Sequence, residues 1–92
     1  MTVTVRIPFP LRELCGGQSS CAASGGSLRE IFSHLDQEFP GLKERLLEGP
    51  EELRSSVNVF LNDEDVRYLG GLDAPVRDGD KVWLVPAIAG GG

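Results

Sequence analysis

The residues with the clearest chemical potential lie at the carboxyl end, where Gly90, Gly91 and Gly92 are consecutive. A segment without side chains can enter a narrow enzyme cleft and present its terminal carboxylate to a reagent there. A glycine-rich end can equally be a frayed terminus without a role, which is the default interpretation of an isolated tail. The fold that precedes the glycines must therefore decide between a reactive tail and an inert one.

The other reactive side chains do not form a recognisable site. Cys15 and Cys21 are the two thiols and His34 is the one histidine. The cysteines lack the Cys-x-x-Cys spacing that lowers a thiol pKa, and together with His34 they leave a tetrahedral zinc site incomplete. We expect a reduced loop thiol at Cys15, a small inward residue at Cys21 and a surface histidine at His34. No catalytic triad, phosphate-binding loop or carboxylate pair indicates an enzyme.

Composition limits the size and the partners of the protein. The 92 residues include 14 acidic and 9 basic ones, a net charge of -5, and this length allows one domain at about 100 to 200 residues per domain. Phosphate binding needs clustered cations, so nucleic acid is not an expected partner. No apolar run approaches the ~20 residues that span a bilayer. Residues 1–7 have neither a basic leader nor an apolar signal core, so we expect a cytoplasmic protein.

Several acidic residues lie on predicted turns near the last strand. Each of them is best explained as a turn former, but together they can steer the chain towards a basic partner surface. These residues are Asp63, Glu64, Asp65, Asp73, Asp78 and Asp80.

Alternation of polar and apolar residues predicts three clear strands, at residues 2–7, 56–62 and 81–86. A weaker, edge-like strand is predicted at 18–24. It follows a wide loop that begins at Pro8, since proline cannot donate a ladder hydrogen bond. A short returning strand is predicted at 66–68, after a tight turn at 63–65.

One long amphipathic helix is predicted at residues 28–39. Ser27 and Glu30 form a capping-box pattern, and apolar residues at three- and four-residue spacing give one buried stripe. Pro40 and Gly41 end this helix. Residues 42–48 are expected to form one further turn whose leucines close the bottom of the core.

The order of these elements predicts an α+β domain with the ubiquitin-like β-grasp arrangement, a mixed sheet packed on one main helix. We expect the β-grasp domain at residues 1–86 and a flexible carboxyl-terminal glycine tail at residues 87–92. Because the helix covers one face of the sheet, the other face should be exposed to solvent.

The exposed face is predicted to carry large apolar side chains. By strict alternation, Phe60, Trp83 and Val85 point away from the helix. They could form a docking patch for a partner protein, because aromatic residues are enriched at interface hot spots. They could equally form a small cluster beneath the first long loop. The sequence leaves both interpretations open.

Three motifs in this fold order together resemble the ThiS/MoaD family of ubiquitin-like sulfur carriers. They are residues 57–67 (VNVFLNDEDVR), the Asp78-Gly79-Asp80 turn and residues 85–91 (VPAIAGG). Within the family, the chain is most similar to the carriers that serve cysteine biosynthesis, and the resemblance covers nearly its whole length. It departs from the family pattern in ending with three glycines instead of two. The expected reactive end is Gly92, or Gly91 after removal of Gly92.

The resemblance implies a chemistry for this tail. An adenylating enzyme of the ubiquitin-activating type would use ATP and magnesium to activate the terminal glycine, and sulfur would then form a thiocarboxylate. The chain itself would bind no cofactor and would be a protein co-substrate of other enzymes. In the cysteine route, the acceptor is an activated serine on a pyridoxal phosphate-dependent synthase, and a metallopeptidase releases cysteine. The residues that we expect to contact partners are Phe60, Trp83 and Val85 of the outer face together with Ile88, Ala89 and Gly90 of the tail.

Other functions are compatible with the same fold. The chain could be the small subunit of a molybdopterin synthase, or a protein modifier joined to lysines through an isopeptide bond. It could also be an interaction module whose glycine tail is inert. The mass of the intact protein separates these classes, because a carrier gains sulfur in place of oxygen and a modifier forms high-mass conjugates.

Overall fold

A computed structural model of the protein describes residues 1–50 and 52–86. These residues form a five-stranded sheet with the order β2-β1-β5-β3-β4, packed against helix α1. The predicted tail, residues 87–92, lies outside the described residues. The strands are β1 (Thr2–Arg6), β2 (Ser20–Ser24), β3 (Val57–Leu61), β4 (Glu64–Asp65) and β5 (Lys81–Pro86), and the helices are α1 (Leu28–Glu38) and α2 (Leu42–Leu46).

The last strand lies in the middle of the sheet. β5 runs parallel to β1 on one side and antiparallel to β3 on the other, while β1–β2 and β3–β4 are antiparallel pairs. The parallel pairing requires the long crossover through α1 and α2, as the element order predicts. The chain therefore reaches its carboxyl-terminal segment from the centre of the sheet.

The core lies between the inner face of the sheet and α1. Inward residues of β1, β3 and β5 alternate with exposed ones, as predicted from the period of two. They pack against the apolar stripe of α1, and the leucines of α2 close one end. Residues in this core include Val3, Val5, Leu28, Ile31, Phe32, Leu35, Leu42, Leu46, Leu47, Val59, Val82 and Leu84.

The capping residues of α1 bond as a capping box displaced by one residue. Ser27 Oγ accepts the N–H of Glu30 at 3.3 Å, as expected of an N-cap serine. Glu30 Oε1 accepts the N–H of Gly26 at 2.8 Å, one residue before the N-cap whose N–H a regular capping box satisfies. Both interactions hold the loop that enters the helix.

The first long loop is more ordered than predicted, because Phe9–Cys15 forms a 3₁₀ helix. Pro10 near its start has the φ angle that a helix needs. Leu11 and Cys15 lie one turn apart and are buried in the core, and the segment contacts α2. The prediction of a loop thiol at Cys15 is therefore wrong, since Cys15 is a core residue and Cys21 is half-buried.

The hairpin after β3 turns earlier than predicted. Asn62 has a left-handed backbone (φ 57°), and Leu61 pairs with Glu64, so the loop comprises only residues 62 and 63. Asparagine tolerates this conformation better than most residues. The predicted strand at 66–68 is wrong, because Val66–Tyr68 forms a 3₁₀ helix whose start is capped by the Asp65 side chain.

Candidate functional site

The predicted reactive tail follows β5 directly. Pro86, the last residue that the structure describes, pairs with Val57 of β3, and residues 81–83 of β5 also pair with β1. The chain is thus held by the sheet up to the point where the tail begins. The tail residues that were predicted to react or to contact partners, Ile88, Ala89, Gly90, Gly91 and Gly92, lie outside the described residues, and their roles stay predictions.

The outer face of the sheet carries one continuous row of side chains across four strands. Arg6 of β1 lies opposite Trp83 of β5, Trp83 lies opposite Phe60 of β3, and Phe60 lies opposite Asp65 of β4. Directly opposed side chains on one face of a sheet are in contact range. The register therefore brings together two of the predicted site residues that the sequence separates by 23 positions.

Phe60, Trp83 and Val85 form an exposed apolar cluster, which we call the outer patch. Trp83 is 38% and Val85 is 40% exposed, and Phe60 is half-buried. Together with Asn62 and Asp63 they line a shallow groove of about 300 Å³. No residue of the first loop lines this groove, and the loop residues Leu11 and Cys15 turn into the core instead. The geometry suits a docking surface, a role that stays a prediction.

Arg6 extends the outer patch in a way that we did not predict. Its guanidinium carbon lies 5.1 Å from the centroid of the Trp83 ring, which is a cation–π distance. Within the described residues, Arg6 has no ion pair, so its charge is available to a partner. The alternation of Thr2, Thr4 and Arg6 on the outer side of β1 was the signal that could have revealed it.

Asn62 is a second residue that the sequence analysis missed. Its Oδ1 accepts the N–H of Lys81 at 3.1 Å, and its Nδ2 donates to Asp80 Oδ1 at 3.2 Å. Its own N–H donates to the Lys81 carbonyl at 2.7 Å. These bonds fasten the β3–β4 turn to the start of β5 and so place Asp63 beside the outer patch.

The six acidic turn residues separate into two groups. Four have structural partners: Asp65 accepts the N–H of Arg67, Asp73 pairs with Arg29, Asp78 accepts the N–H of Thr2, and Asp80 accepts the N–H of Arg77. Asp63 and Glu64 are exposed, and in the described part of the chain their side chains have no hydrogen bond or ion pair. Within the described residues, Asp63 and Glu64 are therefore the two members of this set without a side-chain partner, and the steering role stays a prediction.

The two cysteines and the histidine do not form a reactive site in the structure. Burial raises the pKa of the Cys15 thiol, and burial together with the nearby Cys15 and Glu38 raises the pKa of Cys21 to about 11. Both are protonated at neutral pH, and a thiol is a weak nucleophile. His34 is not a plain surface residue, because its Nδ1 accepts the N–H of Ser24 at 3.0 Å.

Two further classes of site are missing from residues 1–50 and 52–86. No group of three or more histidine, cysteine, aspartate or glutamate side chains is placed to hold a metal ion. No helix in these ranges has the length and apolar character needed to cross a membrane.

Comparison with known protein families identifies the chain. The model of the ThiS family matches residues 5–91, which is nearly the whole sequence. This chain belongs to the ThiS family. The match includes the predicted tail as far as Gly91 and leaves Gly92 one position beyond it.

Known relatives of this ThiS-family chain are similar along their full length. It is 47% identical over 93 residues to the sulfur carrier protein CysO of Mycobacterium tuberculosis, covering 99% of this chain and 100% of that protein. It is 31% identical over 93 residues to small archaeal modifier protein 3 of Haloferax volcanii, with 99% and 100% coverage. The predicted family is therefore confirmed.

Solved structures confirm the ubiquitin-like β-grasp fold of this ThiS-family chain. The crystal structure of Mycobacterium tuberculosis CysO superimposes with a TM-score of 0.90 at 45% identity, covering 94% of this chain and 99% of that one. A crystal structure of the Amycolatopsis orientalis BexX/CysO complex matches with the same TM-score and identity, at 96% and 98% coverage. In the second structure, the CysO protein is bound to another protein.

Proposed function

We propose that this ThiS-family chain is a sulfur carrier protein that serves cysteine biosynthesis through a thiocarboxylate at its carboxyl-terminal glycine. The observation that carries the proposal is the 47% identity to the sulfur carrier protein CysO over the full length of both chains. The exposed outer patch on β5, the strand that leads to the glycines, supports it.

The chemistry that we propose takes place on the last glycine, Gly92 or Gly91. An adenylating enzyme uses ATP and magnesium, and the glycine carboxylate attacks the α-phosphorus of ATP and displaces pyrophosphate. Sulfide from a donor then attacks the acyl carbonyl and displaces AMP, which leaves a terminal thiocarboxylate. A free carboxylate is a poor acyl donor, whereas AMP is a good leaving group, so activation makes the sulfur exchange possible.

The carrier in this scheme is a co-substrate without catalytic groups of its own. Its cysteines are buried or half-buried and have raised pKa values, so they do not compete as nucleophiles. The sulfur acceptor is a pyridoxal phosphate-dependent synthase holding an activated serine, and a metallopeptidase then releases cysteine. The synthase and the peptidase are proposed from the family resemblance.

Recognition of the activating enzyme is proposed to occur through the outer patch. Trp83 and Val85 lie on the strand that continues into the tail, so a partner bound there receives the glycines into its active site. Aromatic residues and arginine are enriched at interface hot spots, and Arg6 stacks on Trp83. Asp63 lines the outer-patch groove, and its charge, unpaired within the described residues, suits a basic partner surface. The known BexX/CysO complex supports binding of a protein partner.

The direct test is the mass of the intact chain after incubation with its cognate adenylating enzyme, ATP, magnesium and a sulfide donor. We expect a mass gain equal to the replacement of one oxygen atom by sulfur, which disappears when ATP is omitted. A variant that lacks Gly91 and Gly92 should show no gain. An unchanged mass under these conditions, both of the complete chain and of a chain that ends at Gly91, would refute the carrier function.

A protein-modifier function is the second candidate, and the 31% identity to small archaeal modifier protein 3 favours it. The two functions share tail activation but differ in the acceptor. A modifier would form high-mass conjugates with lysine side chains in its own cell. Sulfur incorporation without such conjugates would exclude the modifier function and support the carrier function.

A further inference from the structure

The free edge of the sheet at β2 is open to hydrogen bonding. β2 is the outermost strand on the side of β1. Gly25 donates its N–H to the Met1 carbonyl at 2.9 Å, and Ile7 donates its N–H to the Ser19 carbonyl at 2.8 Å. The hydrogen bonds between β1 and β2 are therefore exchanged by the odd-numbered residues of the two strands. By alternation, the N–H and C=O groups of Ser20, Ala22 and Ser24 face away from β1.

β2 lacks the usual protection of an edge strand. Natural edge strands are blunted by charged residues, proline, bulges or short length. The opposite edge of this sheet uses short length, because β4 has two residues and is followed by a 3₁₀ helix. β2 has five residues, SCAAS, with no charge and no proline.

His34 occupies part of this open edge. Its Nδ1 accepts the outward N–H of Ser24 at 3.0 Å, and its Nε2 lies 3.0 Å from Glu38 Oε1. An Nδ1 that accepts leaves the proton on Nε2, which then donates to Glu38. The imidazole, on the helix that follows β2, is held by one bond at each ring nitrogen.

We propose that His34 is an edge guard, a side chain that prevents β2 from pairing with β2 of a second copy of this chain. The edge is self-complementary about Ala22, because a two-fold axis there places Ser20 opposite Ser24 and Cys21 opposite Ala23. All of these side chains are small, so none of them opposes the pairing.

The loss of one donor on each copy is what makes the guard effective. The antiparallel dimer would have three hydrogen-bonded pairs, one between the two Ala22 residues and two between Ser20 and Ser24. His34 already takes the Ser24 N–H on each copy, so both outer pairs are incomplete and the imidazole fills the space of the incoming strand. This inference is independent of the sulfur-carrier function.

The test compares two substitutions at one position by sedimentation velocity over a range of protein concentrations. His34→Ala removes the acceptor, whereas His34→Asn places an amide oxygen close to where Nδ1 lies. High salt is used because it screens the repulsion between two copies of net charge -5. We expect the wild-type chain and His34→Asn to stay at the monomer mass of 9.9 kDa, and His34→Ala to approach twice that mass with increasing concentration.

A second substitution tests whether any dimer forms through β2. Adding Ala22→Pro to His34→Ala removes the N–H at the centre of the proposed two-fold axis, and this double variant should return to the monomer mass. A monomeric His34→Ala at every concentration would overturn the proposal, and so would a dimer that persists with Pro at position 22 or that forms equally in the wild-type chain.

Amide hydrogen exchange of the wild-type chain tests the same proposal without any variant. The Ser24 amide should exchange more slowly than the amides of Ser20 and Ala22, which face the same edge without a side-chain acceptor in the described structure. Equal exchange rates at the three positions would show that His34 does not hold the edge, and the proposal would be wrong.

Discussion

The two faces of β5 differ although they belong to one six-residue strand. On the inner face, Val82 is completely buried and Leu84 is 3% exposed, whereas on the outer face Trp83 and Val85 remain 38% and 40% exposed. Residues of similar apolar character therefore have different roles. The inner pair contributes to the free energy of folding, and the outer pair leaves apolar surface exposed, which we propose serves association.

This difference predicts that substitutions on the two faces produce separable defects. An inner-face substitution should lower the free energy of unfolding, with activation by the partner enzyme preserved while the chain stays folded. An outer-face substitution should weaken binding to the partner enzyme and leave the free energy of unfolding nearly unchanged. The predictions below test this separation in order of decreasing expected effect.

Leu84→Ala should have the largest effect, on stability. Leu84 is buried on the inner face, and removing a buried leucine side chain costs about 2 to 5 kcal/mol in free energy of unfolding. Urea denaturation followed by circular dichroism measures this loss. A decrease of less than about 1 kcal/mol, the range of typical surface and minor substitutions, would mean that the inner face does not hold the fold as described.

Trp83→Ala should have its main effect on association. Loss of a central aromatic contact and of its stacking with Arg6 should weaken binding to the adenylating enzyme by about 2 kcal/mol, or about 30-fold. The free energy of unfolding should change by less than about 1 kcal/mol. Binding is measured by isothermal titration calorimetry and stability by urea denaturation.

Tyr68→Ala is the matched control for Trp83→Ala. Tyr68 is 87% exposed but does not line the outer-patch groove, so its removal should leave affinity unchanged. Equal losses from both substitutions would show that exposed aromatic area in general, and not the outer patch, determines binding.

The combined substitution Asp63→Asn and Glu64→Gln should have the smallest effect. Asp63 lines the outer-patch groove, and Glu64 follows it in the same hairpin, opposite Leu61 on the other face of the sheet. Neutralising both charges should slow association with a basic enzyme surface severalfold and weaken its salt dependence. Stopped-flow measurements at several salt concentrations give the rates. Glu44→Gln with Glu48→Gln changes net charge equally within and just after α2, and a similar slowing there would attribute steering to total charge alone.

Local patterns predicted most of the fold. The period of two at residues 81–86 was sufficient to separate Val82 and Leu84 from Trp83 and Val85, because alternation is a property of any extended strand. The helix was equally predictable from its cap and its apolar stripe. The error at residues 62–68 occurred where two local solutions compete. A left-handed Asn62 closes the hairpin early, and the Asp65 side chain caps a 3₁₀ helix where a strand was expected.

The candidate site was only partly predictable. Phe60 and Trp83 were placed on the same face by alternation, but their direct opposition depends on the β3–β5 register, which links distant segments. The stacking of Arg6 on Trp83 depends on the parallel β1–β5 pairing in the same way. The three bonds of Asn62 also join a turn to Asp80 and Lys81, 18 and 19 residues later in the chain, and no local spacing indicates them.

The sequence by itself determined which side chains face the core and which face solvent, because backbone geometry sets those periods residue by residue. It also determined the family, through motifs that extend to the glycines. Only the tertiary structure decided that Arg6 lies on Trp83, that Asp63 and Glu64 have no partner among residues 1–50 and 52–86, and that His34 reaches Ser24 at the edge of the sheet. These contacts depend on strand register and on the packing of α1 against β2, which arise only when distant segments of the chain are brought together.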